Sequence, residues 1–162
     1  MATTKSETAQ TSLLLQQQLK DLLKHPVEGF SVGLVDENNI YEWSVNIIGP
    51  MDTLYEWGCF NAIMRFPEEY PFRPPSLNFV SEMWHPNVYP DGEVCISILH
   101  PPGEDPNGYE LASERWSPVQ TELGVSAAGR GELGVSAAGR GELGVSAAGP
   151  GELGVSTAGR GG

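Results

Sequence analysis

The sequence predicts an α+β domain: an N-terminal helix, then a four-stranded antiparallel meander, followed by a tail without fixed structure. Three observations carry this expectation. Residues 12–25 place leucines at helical spacing. Residues 30–79 switch to a period of two, in four runs divided by turn residues. Residues 122–162 contain no aromatic residue but 13 of the 20 glycines. A packed core therefore forms only within residues 1–121. The tail buries too little apolar surface to offset the entropy of ordering it. The chain divides accordingly into a folded domain, 1–121, and a low-complexity segment, 122–162.

In the helix, Leu15, Leu19, Leu22 and Leu23 form one apolar stripe. Ser12 suits its N-cap and His25-Pro26 its end. Phe30, Val32 and Leu34 begin the alternation, and Tyr41, Trp43, Val45 and Ile47 continue it after Asp36-Glu37-Asn38-Asn39. Phe60, Ala62, Met64 and Phe66 make the third run, and Leu77 and Phe79 a short fourth. The connections are short, so consecutive strands pair with one another. From 86 to 118 neither period holds, and scattered prolines mark an extended, loop-rich stretch. Ser117, Pro118 and Gln120 then compose a capping box. The long helix it announces does not follow: Gly124 arrives within two turns, and ELGVSAAGRG repeats from Glu122, Glu132, Glu142 and Glu152.

The formal net charge is −12, of which −11 falls in residues 1–121, with 6 Lys/Arg against 17 Asp/Glu. This balance argues against nucleic acid and against anionic membrane surfaces, and favours basic partners. No apolar run reaches the length of a membrane span. Two cysteines make no disulfide framework, so a reducing cytoplasmic or nuclear setting is expected.

Cys95 lies among Val94, Ile96 and Ile98, where a lone cysteine is more often a small apolar residue than a nucleophile. Cys59, at a strand start, reads as packing. His85-Pro86-Asn87 reads either as a turn or as a base and an oxyanion donor. A metal set of His85, Cys95 and His100 matches no zinc spacing.

Together these residues are more specific than singly. Phe66-Pro67-Glu68-Glu69-Tyr70-Pro71-Phe72-Arg73-Pro74-Pro75, then His85-Pro86-Asn87, then Cys95 eight residues on, then Trp116-Ser117-Pro118, resemble a ubiquitin-conjugating enzyme from the first helix to about Thr121. The 16 residues between Leu99 and Trp116, with Glu104, Asp105 and Glu110, resemble the G class, which carries an acidic insertion after the active-site cysteine. The resemblance implies that Cys95 accepts ubiquitin's C-terminal glycine as a thioester from the activating enzyme. A substrate lysine then attacks it. Asn87 stabilises the oxyanion or holds the loop, and His85 with Pro86 pins the turn. It implies no cofactor in this chain, since ATP is used by the activating enzyme. Phe72, Trp116, Ser117 and Pro118, with the first helix, are the expected docking surface for a RING-type ligase. Glu104, Asp105 and Glu110 are expected beside Cys95, either orienting the incoming lysine or simply solvated. The cytosolic face of the endoplasmic reticulum joins the expected locations.

The chain departs from the family twice. Tyr55-Glu56-Trp57-Gly58 stands where the family usually has Tyr-Glu-Gly-Gly, which strains the turn if that glycine sits at positive φ. The repeat replaces the crossover helix and the helices after it, so the sheet face bearing Trp43 and Val45 is expected to stand uncovered and to promote aggregation. Two other readings are therefore carried: an inactive fragment that still binds ligases, and a defective or misread gene product.

Overall fold

The computed structural model describes residues 2–49, 51–116 and the backbone of three short segments beyond them; side-chain surroundings are described from Thr8 to Trp116, Pro50 excepted. Helix α1 spans Ala2–Lys24. Strands β1 (Phe30–Leu34), β2 (Glu42–Ile48), β3 (Cys59–Arg65) and β4 (Ser76–Phe79) form one antiparallel sheet in the order β1-β2-β3-β4. This is the expected helix and meander.

The period-two pattern sets the register. Val45 faces Val32 on β1 and Ala62 on β3, and Trp43 faces Met64. Trp43, Val45, Ile47, Ala62, Met64, Leu77 and Phe79 consequently share the buried face. Trp43 stacks obliquely on Phe66 at 4.6 Å between centroids, and Phe66 meets Tyr70 edge-on at 5.0 Å.

Helix α1 begins ten residues before the expected start. Ser12 lies inside it, its hydroxyl turned back to the Ala9 carbonyl at 3.4 Å, and is not the cap. Tertiary contacts secure the extra turns. The Thr11 hydroxyl is buried 2.8 Å from the Tyr70 carbonyl and 3.1 Å from that of Glu68, and the Tyr41 hydroxyl donates to the Thr8 carbonyl at 3.0 Å. The buried stripe is Thr11, Leu15, Leu19 and Leu22; Leu23 points to solvent. The helix ends before Pro26 as expected, with the His25 N–H on the Asp21 carbonyl.

The face bearing Trp43 and Val45 is not left uncovered: both residues have no exposed surface. Ile96, Ile98 and Leu99, around a 3-10 turn over Ser97–Leu99, enter the same core as the leucines of α1. Within the repeat, backbone segments β5 (Leu123–Gly124), β6 (Gly131–Ala138) and β7 (Glu142–Ala148) pair antiparallel, β6 lying against the 3-10 turn and β7 against α1. The expected break at Ser117 and Pro118, and most of the repeat, lie outside the described residues. Cys59 corrects the expectation of packing. It is exposed, because it opens β3 opposite the exposed Ile48, on the outer side of the sheet.

The β2–β3 connection holds the strained turn. Trp57 has φ +63° and its ring is largely exposed. A side chain in this region costs about 1–2 kcal/mol, part of which glycine gives back through its looser unfolded chain. Trp57→Gly is therefore expected to raise stability by about 0.5–1 kcal/mol in urea denaturation.

Candidate active site

Cys95 sits just before the 3-10 turn, on the chain returning from the His85–Val88 bridge. Its N–H donates to the Asn87 carbonyl at 2.8 Å, which fixes the two segments side by side. The Asn87 N–H in turn donates to His85 Nδ1 at 3.1 Å. His85 is therefore the acceptor at Nδ1, holding the turn from inside, and its buried ring does not reach out as a base. The Tyr55 hydroxyl donates to the Trp84 carbonyl at 2.8 Å and ties this turn to the β2–β3 connection.

Burial pushes the His85 imidazole below its ordinary value. The unfolded chain therefore binds this proton more readily than the folded one, so the contribution of His85 to stability is complete above about pH 6.5 and shrinks as the pH falls toward the folded value. His85→Gln is expected to flatten that acid limb, measured as urea midpoints between pH 7 and pH 5.

Cys95 is half-buried and lines an open cleft of about 730 Å³ with Arg65, Arg73, Tyr89, Leu99 and His100. The Tyr89 phenol is held above its ordinary value, first by hydrogen bonding to Cys95 and next by the negative charge Cys95 carries as a thiolate. His100 Nε2 lies 3.5 Å from Sγ. His100 Nδ1 lies 2.9 Å from both carboxylate oxygens of Glu110. The Ser97 hydroxyl donates to Glu110 Oε1 at 3.1 Å, and Arg115 Nε stands 3.3 Å from Oε2 without hydrogen-bond alignment.

The acidic segment is largely exposed to solvent and is also folded on itself. The Asp105 carboxylate accepts the N–H groups of Asn107 at 3.0 Å, Tyr109 at 2.8 Å and Glu110 at 3.2 Å. The first two bonds lead in holding it below the usual carboxylate range. Glu104 is exposed on the outside of the loop, its carbonyl taking the Arg115 Nη1 donor at 3.0 Å. Of the three acidic residues singled out in the sequence, Glu110 alone is linked to Cys95 here, through His100.

Phe72 is exposed and shares a second concavity with Thr8, Thr11 and Leu14 of α1. Trp116 is not on that surface. It is buried, with its N–H on the His100 carbonyl and its indole Nε1 donating to the Pro71 carbonyl at 2.7 Å. It braces the Phe72 loop from beneath. Ser117 and Pro118 lie outside the described residues. Among the described residues, no group of three or more His, Cys, Asp or Glu is placed to hold a metal ion, and no helix is long and apolar enough to cross a membrane.

Sequence reasoning weighed His100 only as a metal ligand and passed over Tyr89 and Arg115. The acidic residue ten positions after His100 was the available signal, but a loop imposes no period by which to pair them.

This geometry has counterparts. A family model described as ubiquitin-conjugating enzyme matches residues 14–126. The chain is 75% identical over 113 residues to ubiquitin-conjugating enzyme E2 7 of Arabidopsis thaliana, covering 70% of this chain and 68% of that one. It is 62% identical over 108 residues to ubiquitin-conjugating enzyme E2 15 of Schizosaccharomyces pombe, covering 67% and 65%. Among solved structures it resembles that of human ubiquitin-conjugating enzyme E2 G1, with 56% identity and a TM-score of 0.58 over 67% of this chain and 81% of the other.

Proposed function

The chain belongs to the ubiquitin-conjugating enzyme family, and from that premise we propose that Cys95 carries ubiquitin as a thioester and passes it to a lysine with a RING-type ligase. The observation that carries this reading is the 2.8 Å bond from the Cys95 N–H to Asn87. It seats a half-exposed sulfur in the lining of a cleft, against the backbone of Asn87, whose side-chain amide is the group we assign to the developing oxyanion. A thiol requires less activation than a hydroxyl, and the thioester retains enough energy for the lysine step.

In this reading the activating enzyme supplies loaded ubiquitin and spends the ATP, so the chain itself uses no cofactor. The exposed Phe72 and the neighbouring face of α1 receive the ligase, while Trp116 supports the loop from within. The segment 100–115 makes the chain one of the G class. The catalytic domain spans 1–121, and 122–162 is an appendage. Two unpaired cysteines suit a reducing compartment, the cytoplasm or nucleus, including the cytosolic face of the endoplasmic reticulum.

The test is discharge. The chain, loaded with ubiquitin, is mixed with free lysine with and without a RING domain. Acceleration by the RING domain that disappears in Phe72→Ala, with loading unchanged, is expected. Equal discharge in all cases contradicts the docking surface.

A further inference from the structure

We propose that His100 is a catalytic residue of this site, taking the Cys95 thiol proton as ubiquitin is loaded, with Glu110 as its positioning residue. The inference deepens the reading of Cys95 as the ubiquitin carrier and rests on it.

The tautomer follows from the contacts. An ionised carboxylate only accepts hydrogen bonds, so the 2.9 Å contacts of His100 Nδ1 with Glu110 require the hydrogen on Nδ1. The lone pair of the neutral ring is then on Nε2, which faces Sγ at 3.5 Å. The backbone that carries the ring is held on both sides. The His100 N–H donates to the Ser97 carbonyl at 2.9 Å, and the His100 carbonyl accepts the Trp116 N–H at 3.1 Å. Glu110 is fixed by the Ser97 hydroxyl, by the charge of Arg115 and, through its own N–H, by Asp105. The acidic segment thus has an inward use: it aims one imidazole at one sulfur.

The proton and electron flow balances. As Sγ bonds to the thioester carbonyl carbon of ubiquitin's terminal glycine, the S–H proton passes to Nε2. The imidazolium is neutralised by Glu110. When the tetrahedral intermediate collapses, the bond to the activating enzyme's sulfur breaks. That sulfur leaves with the electron pair and takes the proton back from Nε2. No oxidant or further reactant is involved.

The experiment uses the full chain and its two cysteines, with iodoacetamide as probe. Cys59 is exposed and serves as internal reference for the less exposed Cys95. Near neutral pH, Cys95 is expected to be alkylated about tenfold faster than Cys59. His100→Ala and His100→Gln should bring it below Cys59, and Glu110→Gln should give an intermediate rate. The pH profile of Cys95 alkylation should carry a limb that both His100 variants lack; the other charged or titratable groups lining the cleft, Arg65, Arg73, Tyr89 and Glu93, are unchanged in every variant. Near-ultraviolet circular dichroism of the buried tryptophans checks folding, and Glu110→Gln carries the comparison if the His100 variants unfold. Identical rates and profiles in wild type and folded variants overturn the inference. Loading with activating enzyme, ubiquitin and ATP separates the two claims. Equal loading rates in wild type and variants overturn this inference alone, whereas no Cys95-dependent adduct in wild type overturns the carrier reading and the inference with it.

Discussion

Trp116→Ala is expected to destabilise the domain by about 3–5 kcal/mol, the usual cost of emptying a large aromatic site. Trp116 is 1% exposed and packs beside Tyr70 at 6.0 Å between centroids. Its indole N–H is also the donor to the Pro71 carbonyl, and the backbone N–H of the same residue holds the His100 carbonyl. Removing the ring leaves a void and an unpaired carbonyl under the Phe72 loop. Since a domain of this size holds only about 5–15 kcal/mol in total, the variant should lie close to unfolding at 37 °C. Thermal denaturation checks this. A shift of only a few degrees would mean that Trp116 is not the brace between the Phe72 loop and the Cys95 segment.

Asn87→Ala is expected to act in the opposite way, sparing the fold and removing activity. The bonds that hold the turn in place use the backbone of Asn87, its carbonyl to the Cys95 N–H and its N–H to His85 Nδ1. Alanine keeps both. What it removes is the amide available to a developing oxyanion, and loss of one such donor slows the chemical step by about 10²–10³. Urea midpoints should match wild type while single-turnover discharge to lysine slows by that factor. A variant that discharges normally would leave Asn87 as a turn residue only.

The two predictions show which parts of the molecule were legible in the sequence. The strands were, because burial of one sheet face enforces alternation at each of Trp43, Val45, Ala62 and Met64. The end of α1 was legible from Pro26, whose effect is local. The start of α1 was not, because Thr8 and Thr11 are fixed by partners 33 and 59 residues away in sequence. Nor was the fate of Leu23, since helical spacing allowed it on the stripe and the docking angle of α1 turned it outward.

The same distinction runs through the site. His85, Asn87 and Cys95 were legible as an ordered motif, and the structure brings their segments together. The inward side of Trp116 was hidden, because a tryptophan in a proline-rich loop carries no period to say which way it faces. The His100–Glu110 pair was hidden for a related reason: Asp105 folds the intervening loop by taking three backbone N–H groups, and only that fold brings the two together. Trp57 was the departure whose consequence was readable in advance, since a positive φ falls on the residue that replaces glycine.

The central claim is that one of the two cysteine sulfurs carries the modifier. Incubation of the chain with activating enzyme, ubiquitin and ATP, followed by non-reducing digestion and mass spectrometry, assigns the adduct to a cysteine. The account predicts ubiquitin on the peptide containing Cys95, released by thiol reductant and absent in Cys95→Ala. An adduct on Cys59, or none on folded protein, contradicts it.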